Sequence, residues 1–277
     1  MANKRVQATL YSAPDPWRWE SATKGVRMTG DEYLAGILQK YAVNTVGAKA
    51  AGQTIYPVIQ KWGGSYLNSA EFSGSLAKGT GVSIGTDADI FLSLSSTTPG
   101  TLADMYLTLY NAVTAAGYTA RKQNVSIGLK VNGYSIDLVP GRRQSQYGND
   151  HNLYLSKAKT WTQTNVAKHI SYVQSSGRID EIRVLKVWRQ LRGLEFPSFF
   201  LEMAVIDALA YARAGNLAAN VLTVLDHIRD NIKTVRYVDP ANTNNVVSDD
   251  CTTAEKTAIA AQAADSRGQQ IWERIVW

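Results

Sequence analysis

An apolar strand segment that carries two aspartates on one face constrains this chain more than any other feature. It reads Gly85-Thr86-Asp87-Ala88-Asp89-Ile90-Phe91-Leu92. Side chains alternate along a strand, so Asp87 and Asp89 project together while Ala88 and Ile90 face the other way. A third acid, Asp137, lies in Tyr134-Ser135-Ile136-Asp137-Leu138-Val139, where Ile136 and Leu138 mark an interior strand. A carboxylate inside such a strand is costly unless something pairs with it. Two like charges about 4 Å apart repel by about 4 kcal/mol at an effective dielectric of about 20. No basic residue flanks either motif at strand spacing. Divalent cations answer the charge best: three Asp suit two Mg²⁺ ions about 3.5–4 Å apart. The plainer reading of Asp-x-Asp by itself is a solvated strand start. Upstream, the Gly74-Ser75 turn offers backbone N–H groups and a hydroxyl to phosphate oxygens.

The segments around these motifs organise the chain. Thr29-Gly30-Asp31-Glu32 reads as a capping box, followed by a helical pattern to about Trp62 with Leu34, Ile37, Leu38 and Tyr41 on one face. Gly47 and Gly52 are expected to bend it. Strands are predicted over 86–94, 118–123, 125–131 and 134–139, with a helix over 102–116. Asn132-Gly133 between two apolar runs is a tight-hairpin signal. Helices are predicted over 165–176, 178–192, 198–213, 217–234 and 252–275, the last opened by a second capping box at Thr252. Residues 1–28, with Pro14, Pro16, Trp17 and Trp19, read as irregular.

Composition excludes several classes. The chain has 277 residues, enough for one large domain or two packed lobes. Cys251 has no second cysteine to pair with, so a reducing, cytoplasmic compartment is expected. Three histidines and one cysteine argue against structural zinc. No apolar run approaches the ~20 residues needed to cross a bilayer, and no secretory signal or membrane partner is expected. The formal net charge of +6 suits a polyphosphate ligand or nucleic acid, as well as an ordinary soluble protein.

Taken as a set, Gly74-Ser75, Lys78-Gly79-Thr80, Asp87-Ala88-Asp89 and Asp137 resemble the signature of the DNA polymerase β-like nucleotidyltransferase superfamily. The likeness is nearest to the branch of archaeal CCA-adding enzymes, oligoadenylate synthases and bacterial cGAS/DncV-like nucleotidyltransferases (CD-NTases). Leu185-Lys186-Val187-Trp188-Arg189 and Phe196-Pro197-Ser198-Phe199-Phe200-Leu201-Glu202 resemble the paired segments that hold a donor triphosphate in that branch. The predicted helix over 178–192 carries a basic stripe, Arg183, Lys186, Arg189 and Arg192, whose plainer reading is a solvated charged face. Phe199 stands where the family usually has Tyr, and Lys78 where it often has Arg. His169 is read as packing or capping a helix rather than as a base. Asp239, in an Asp-Pro loop, is read as a structural turn residue first and a base contact second.

The resemblance implies an α+β fold: a polymerase β-like lobe, with a mixed sheet and helices, plus an all-helical C-terminal lobe, joined by a long N-terminal helix. Its expected divisions are an irregular segment over 1–28, a spine helix over 29–62, a catalytic lobe over 63–163 and a helical nucleotide-binding lobe over 164–277. It implies metal-dependent joining of nucleoside triphosphates (ATP, with GTP or pyrimidine nucleotides as further candidates) into a cyclic or short linear oligonucleotide, with release of pyrophosphate. Asp87, Asp89 and Asp137 would be catalytic and would hold two Mg²⁺ ions, which Mn²⁺ could replace. Gly74, Ser75, Lys78, Lys186 and Ser198 would hold the nucleotide. The implied partners are a nucleic-acid or protein activator and a separate effector that binds the product, in antiphage signalling. The rival readings are an enzyme that tails RNA or nucleotidylates another macromolecule, and a catalytically silent nucleotide-binding protein.

Overall fold

Thr29 and Glu32 cap each other's backbone, and helix α1 (Gly30–Lys40) follows from that reciprocal bond. The computed structural model describes residues 28–85 and 87–277; the reading of the first segment, with Trp17 and Trp19, lies outside them except for Met28. The expected spine over 29–62 is not one helix. It breaks after Tyr41, and α2 (Thr45–Gly63) begins again at Asn44, whose side chain accepts the Gly47 N–H at 3.0 Å. Asn satisfies a helix start better than a helix interior. The Tyr41 carbonyl takes a bond from the Ser83 N–H at 2.8 Å instead of continuing the helix. Gly47 and Gly52 lie within α2 and do not interrupt it.

The catalytic half follows in order: β1 (Leu67–Phe72), α3 (Gly74–Lys78), β2 (Ala88–Leu94), α4 (Leu102–Ala115), β3 (Ala120–Lys122), β4 (Ile127–Val131), β5 (Tyr134–Arg143), β6 (His151–Leu155) and β7 (Thr160–Thr164). They form one mixed sheet of order β1-β2-β5-β4-β3. β2 and β5 are parallel, and the other pairings are antiparallel. Asn132 and Gly133 both take positive φ, as the tight turn between β4 and β5 requires. β5 runs past the predicted end at Val139 to Arg143, where β6 pairs with it, and β7 pairs with β6. Ala88, Ile90, Leu92, Ile136 and Leu138 point into a core shared with Ile55 and Ile59 of α2 and Leu109 of α4. Asp89, Phe91, Asp137 and Val139 alternate with them onto the opposite face.

The second half is helical: α5 (Val166–Gln174), α6 (Ile179–Leu191), α7 (Ser198–Ala208), α8 (Leu217–Asn231), α9 (Thr253–Arg267) and α10 (Trp272–Ile275), with a small hairpin of β8 (Val238–Asp239) and β9 (Asn242–Val246). The helix predicted over 252–275 is two helices, parted after Arg267. Trp188 sits at the centre of this core, fully buried, with its Nε1–H donated to Ser266 at 2.9 Å. Leu34 and Ile37 of α1 belong to this core, whereas α2 belongs to the sheet.

Candidate active site

The parallel register places Asp89 directly opposite Asp137. Asp87 lies just before β2, close enough for its charge to act on both. Burial, then the charges of Asp137 and Asp87, pushes the Asp89 carboxyl up to about 6, against the pull of Lys78 and Lys186. Asp137 is also raised, by burial and by Asp87. It is held in place by Gln123 Nε2 at 3.0 Å and Ser126 Oγ at 3.3 Å, which donate to it.

The Gly74-Ser75 turn packs directly against this pair. Gly74 has φ +54°, and a Cβ there would collide with Asp89 Oδ2. Glycine therefore serves twice, by adopting a left-handed backbone and by leaving room for the carboxylate. The Ser73 N–H donates to the Asp89 carbonyl at 2.8 Å, which fixes the turn to β2.

Opposite the acids lies a buried charge cluster. Lys186 Nζ is 2.6 Å from Glu202 Oε1, and Lys78 Nζ is 2.8 Å from Glu202 Oε2. Thr80 Oγ1 donates to Glu202 at 2.9 Å and accepts from Lys186 at 2.9 Å. Burial by itself would raise the Glu202 carboxyl, but Lys186 and Lys78 outweigh it and hold it below the usual range. Burial draws the Lys186 ammonium below the ordinary lysine value. Two cations thus share one carboxylate, which leaves net positive charge at the cleft wall. Arg189 adds a third cation: it donates to the Phe196 carbonyl at 2.7 Å, and its buried Nε has no partner among the described residues. Gly74, Ser75, Lys78, Asp87, Asp89, Lys186, Arg189, Ser198 and Glu202 line one cleft of about 280 Å³.

The structure therefore brings Gly74, Ser75, Lys78, Lys186 and Ser198 together with Asp87 and Asp89, and sets Asp137 beside Asp89. It divides the basic stripe. Arg183 turns to the Leu38 carbonyl of α1 and Arg192 to the Arg274 and Ile275 carbonyls, while Lys186 and Arg189 line the cleft. Phe199 packs against His169, with ring centroids 4.7 Å apart, and receives Lys78 over its face at 4.5 Å. His169 Nε2 lies 2.7 Å from Asp239 Oδ1, and Asp239 also accepts the Ala241 N–H, so the contact ties α5 to the β8–β9 hairpin.

The described chain superposes on CdnG of Bradyrhizobium diazoefficiens, a CD-NTase solved in complex with GTP. The TM-score is 0.72 at 14% identity, over 86% of this chain and 90% of that one. The chain has the CD-NTase fold. The same fold is seen in CdnC of E. coli MS115-1, solved with ATP (TM-score 0.67, 19% identity, 84% of this chain and 89% of that one). It is seen again in the CdnE cyclic dinucleotide synthase of Elizabethkingia meningoseptica, solved with GTP and Apcpp (TM-score 0.58, 17% identity, 80% and 92%). No protein-family model matches the sequence, and no curated protein matches it. Among the described residues no helix is long and apolar enough to cross a membrane.

On this CD-NTase frame the donor chemistry of the acids fits a hard divalent cation. Asp89 and Asp137 are each raised by burial and a neighbouring carboxylate, a conflict that a cation relieves. Among the described residues no three or more acids, histidines or cysteines are gathered closely enough to hold a metal ion by themselves, so the protein would supply only part of the coordination sphere. Mg²⁺ commonly uses one or two carboxylates and completes its sphere with water and substrate phosphate.

Sequence reasoning assigned no role to Glu202, Gln123 or Ser126, and set Arg189 within a stripe. Glu202 was findable: it lies four residues after Ser198, hence on the same helix face.

Proposed function

We propose that this protein is a metal-dependent nucleotidyltransferase that joins nucleoside triphosphates into a cyclic or short linear oligonucleotide. The observation that carries this reading is the opposition, across one cleft, of Asp87 and Asp89 to Lys78, Lys186 and Arg189, with Asp137 next to Asp89. Acids in that position suit metal binding, and cations in that position suit a triphosphate.

Asp87, Asp89 and Asp137 would hold Mg²⁺. When bound, the metal lowers the charge barrier at the α-phosphate and helps ionise the attacking hydroxyl. Lys78, Lys186 and Arg189 neutralise the donor triphosphate, while the Gly74-Ser75 turn and Ser198 offer it N–H and O–H groups. Gln123 and Ser126, which donate to Asp137, would fix the orientation of its carboxylate. In the reaction a ribose oxygen bonds to the α-phosphorus, the α–β phosphoanhydride breaks, and pyrophosphate leaves with its electron pair. The hydroxyl proton passes to the Asp137 carboxylate. A second transfer within the linear product closes a ring. The product would serve as a second messenger to a separate effector in antiphage signalling.

The test is incubation with four labelled nucleoside triphosphates and Mg²⁺ or Mn²⁺, read by liquid chromatography and mass spectrometry. The expected result is a phosphatase-resistant oligonucleotide that disappears in Asp87→Asn/Asp89→Asn. A product that persists in that variant overturns the assignment of the acids.

A further inference from the structure

Phe91 and Ser93 follow Asp89 at alternate positions along β2, so they share its face of the sheet. Farther along that face, under α5, lies a separate cavity of about 190 Å³. Ser93, Arg143 of β5 and His151 of β6 form its polar end. Phe72, Phe91 and Ile170 give it an apolar wall, and the first turn of α5 closes it at Val166 and Ala167.

The polar end holds a cation in place. His151 Nδ1 lies 2.8 Å from the Asn149 carbonyl, which can only accept, so Nδ1 carries the ring proton. Nε2 then accepts the Ser93 hydroxyl at 2.8 Å, and Ser93 Oγ accepts Arg143 Nε–H at 3.3 Å. Arg143 Nη1 reaches the Gln146 carbonyl at 3.5 Å, while Nη2 has no partner among the described residues. Two carboxylates stand near without pairing with it. Glu71, exposed at the rim, is opposite Phe91, which puts its backbone two strands across (about 10 Å) and four residues along (about 13 Å) from that of Arg143. Asp150 is already held by Asn165 Nδ2 at 2.9 Å and Lys168 Nζ at 4.0 Å. From α5, Asn165 caps only the Lys168 N–H, at 3.1 Å. The N–H groups of Val166 and Ala167 are left without an intrahelical partner, and they bring partial positive charge to the same cavity.

We propose that this cavity binds a small organic carboxylate with an apolar body, its carboxylate on Arg143 and the α5 N-terminus and its body against Phe91 and Ile170. A guanidinium fork matches carboxylate geometry. Sites for drug-sized ligands enclose about 300–1,000 Å³, so the occupant is smaller than a nucleoside triphosphate. Inorganic phosphate would leave the apolar wall uncovered. Phe91, Val166 and Ile170 also border the space beside Asp89 and Lys78, so the occupant abuts the candidate active site without entering it.

The test is calorimetric titration of the protein with benzoate, benzamide and inorganic phosphate as probes. Benzoate is expected to bind with a Kd of about 1 mM or tighter, and about tenfold more tightly than benzamide or phosphate. Arg143→Gln should weaken benzoate binding by about tenfold and leave binding of a non-hydrolysable ATP analogue unchanged. Ala167→Glu is the second variant. An acid in the first turn suits a helix, so the fold is kept, while the new charge repels benzoate. Equal affinity for benzoate and benzamide, or for benzoate and phosphate, overturns the proposal. So does benzoate binding that both variants retain. Binding that saturating ATP analogue abolishes would put benzoate in the nucleotide cleft and overturns it too, as does no benzoate binding at about 10 mM. None of these readouts requires catalysis, so the outcome stands apart from the nucleotidyltransferase reading.

Discussion

Lys186 and Glu202 meet at 2.6 Å in the interior of the protein, each almost wholly buried. The same carboxylate also holds Lys78, which comes from the other half of the molecule. Replacing Glu202 by Gln leaves two buried ammonium groups facing a neutral amide. Loss of one partner from a buried ion pair costs roughly 3–5 kcal/mol. A destabilisation of about 3 kcal/mol is therefore expected in urea unfolding, and added salt should not restore it, because buried pairs are poorly screened.

Gly74→Ala tests the turn. The new Cβ would have to displace the Asp89 carboxylate while adopting φ +54°. The left-handed backbone costs a non-glycine residue about 1–2 kcal/mol. A misplacement near 1 Å at a reacting group can cost about a hundredfold in rate. The expected result is a folded protein with a modest drop in Tm and a loss of activity of about a hundredfold.

Asp89→Asn tests the charge conflict. Asp89 is raised to about 6 by burial and then by Asp137 and Asp87. The folded state therefore holds that proton more tightly than the unfolded chain. Its contribution to stability is present below about pH 4 and is lost as pH rises through about 6. In chelator at pH 8, Asp89→Asn should be more stable than the wild type by up to about 2–3 kcal/mol. Added Mg²⁺ should raise the Tm of the wild type more than that of the variant. Identical thermal curves with and without Mg²⁺ would contradict the metal assignment.

His151 should set an acid limit on folding. Its Nε2 lies 2.8 Å from Ser93 Oγ and its Nδ1 lies 2.8 Å from the Asn149 carbonyl. A neutral ring satisfies both contacts by donating from Nδ1 and accepting at Nε2. Burial pushes its pKa below 6.5. The unfolded chain therefore takes up the proton first, and stability falls as pH drops below about 6.5. Replacing His151 by Gln should flatten that part of the stability profile, measured by denaturant titration from pH 7.5 to 5.

Local chemistry made much of this molecule legible. The alternation around Asp89, the Asn132-Gly133 turn and the Thr29 and Thr252 caps depend on neighbours in the chain, and those segments fold accordingly, although the strand begins at Ala88 and leaves Asp87 just before it. β6 and β7 were less visible because His151–Leu155 and Thr160–Thr164 become strands by pairing with each other and with the far end of β5. Glu202 and Lys78 are 124 positions apart, and no local pattern announces that they share a bond. Arg121 of β3 acts on Asp137 of β5 through cross-strand register, which strand periodicity within one segment cannot reveal.

The break between α1 and α2 has a mechanical consequence. Leu34 and Ile37 anchor one side of it in the helical core, and Ala51, Ile55 and Ile59 anchor the other in the sheet core. Residues 42–44 belong to neither core, and Ala42 and Asn44 are exposed. Those three residues thus join the two cores without belonging to either, and they do not line the cleft in which Asp89 and Lys186 meet.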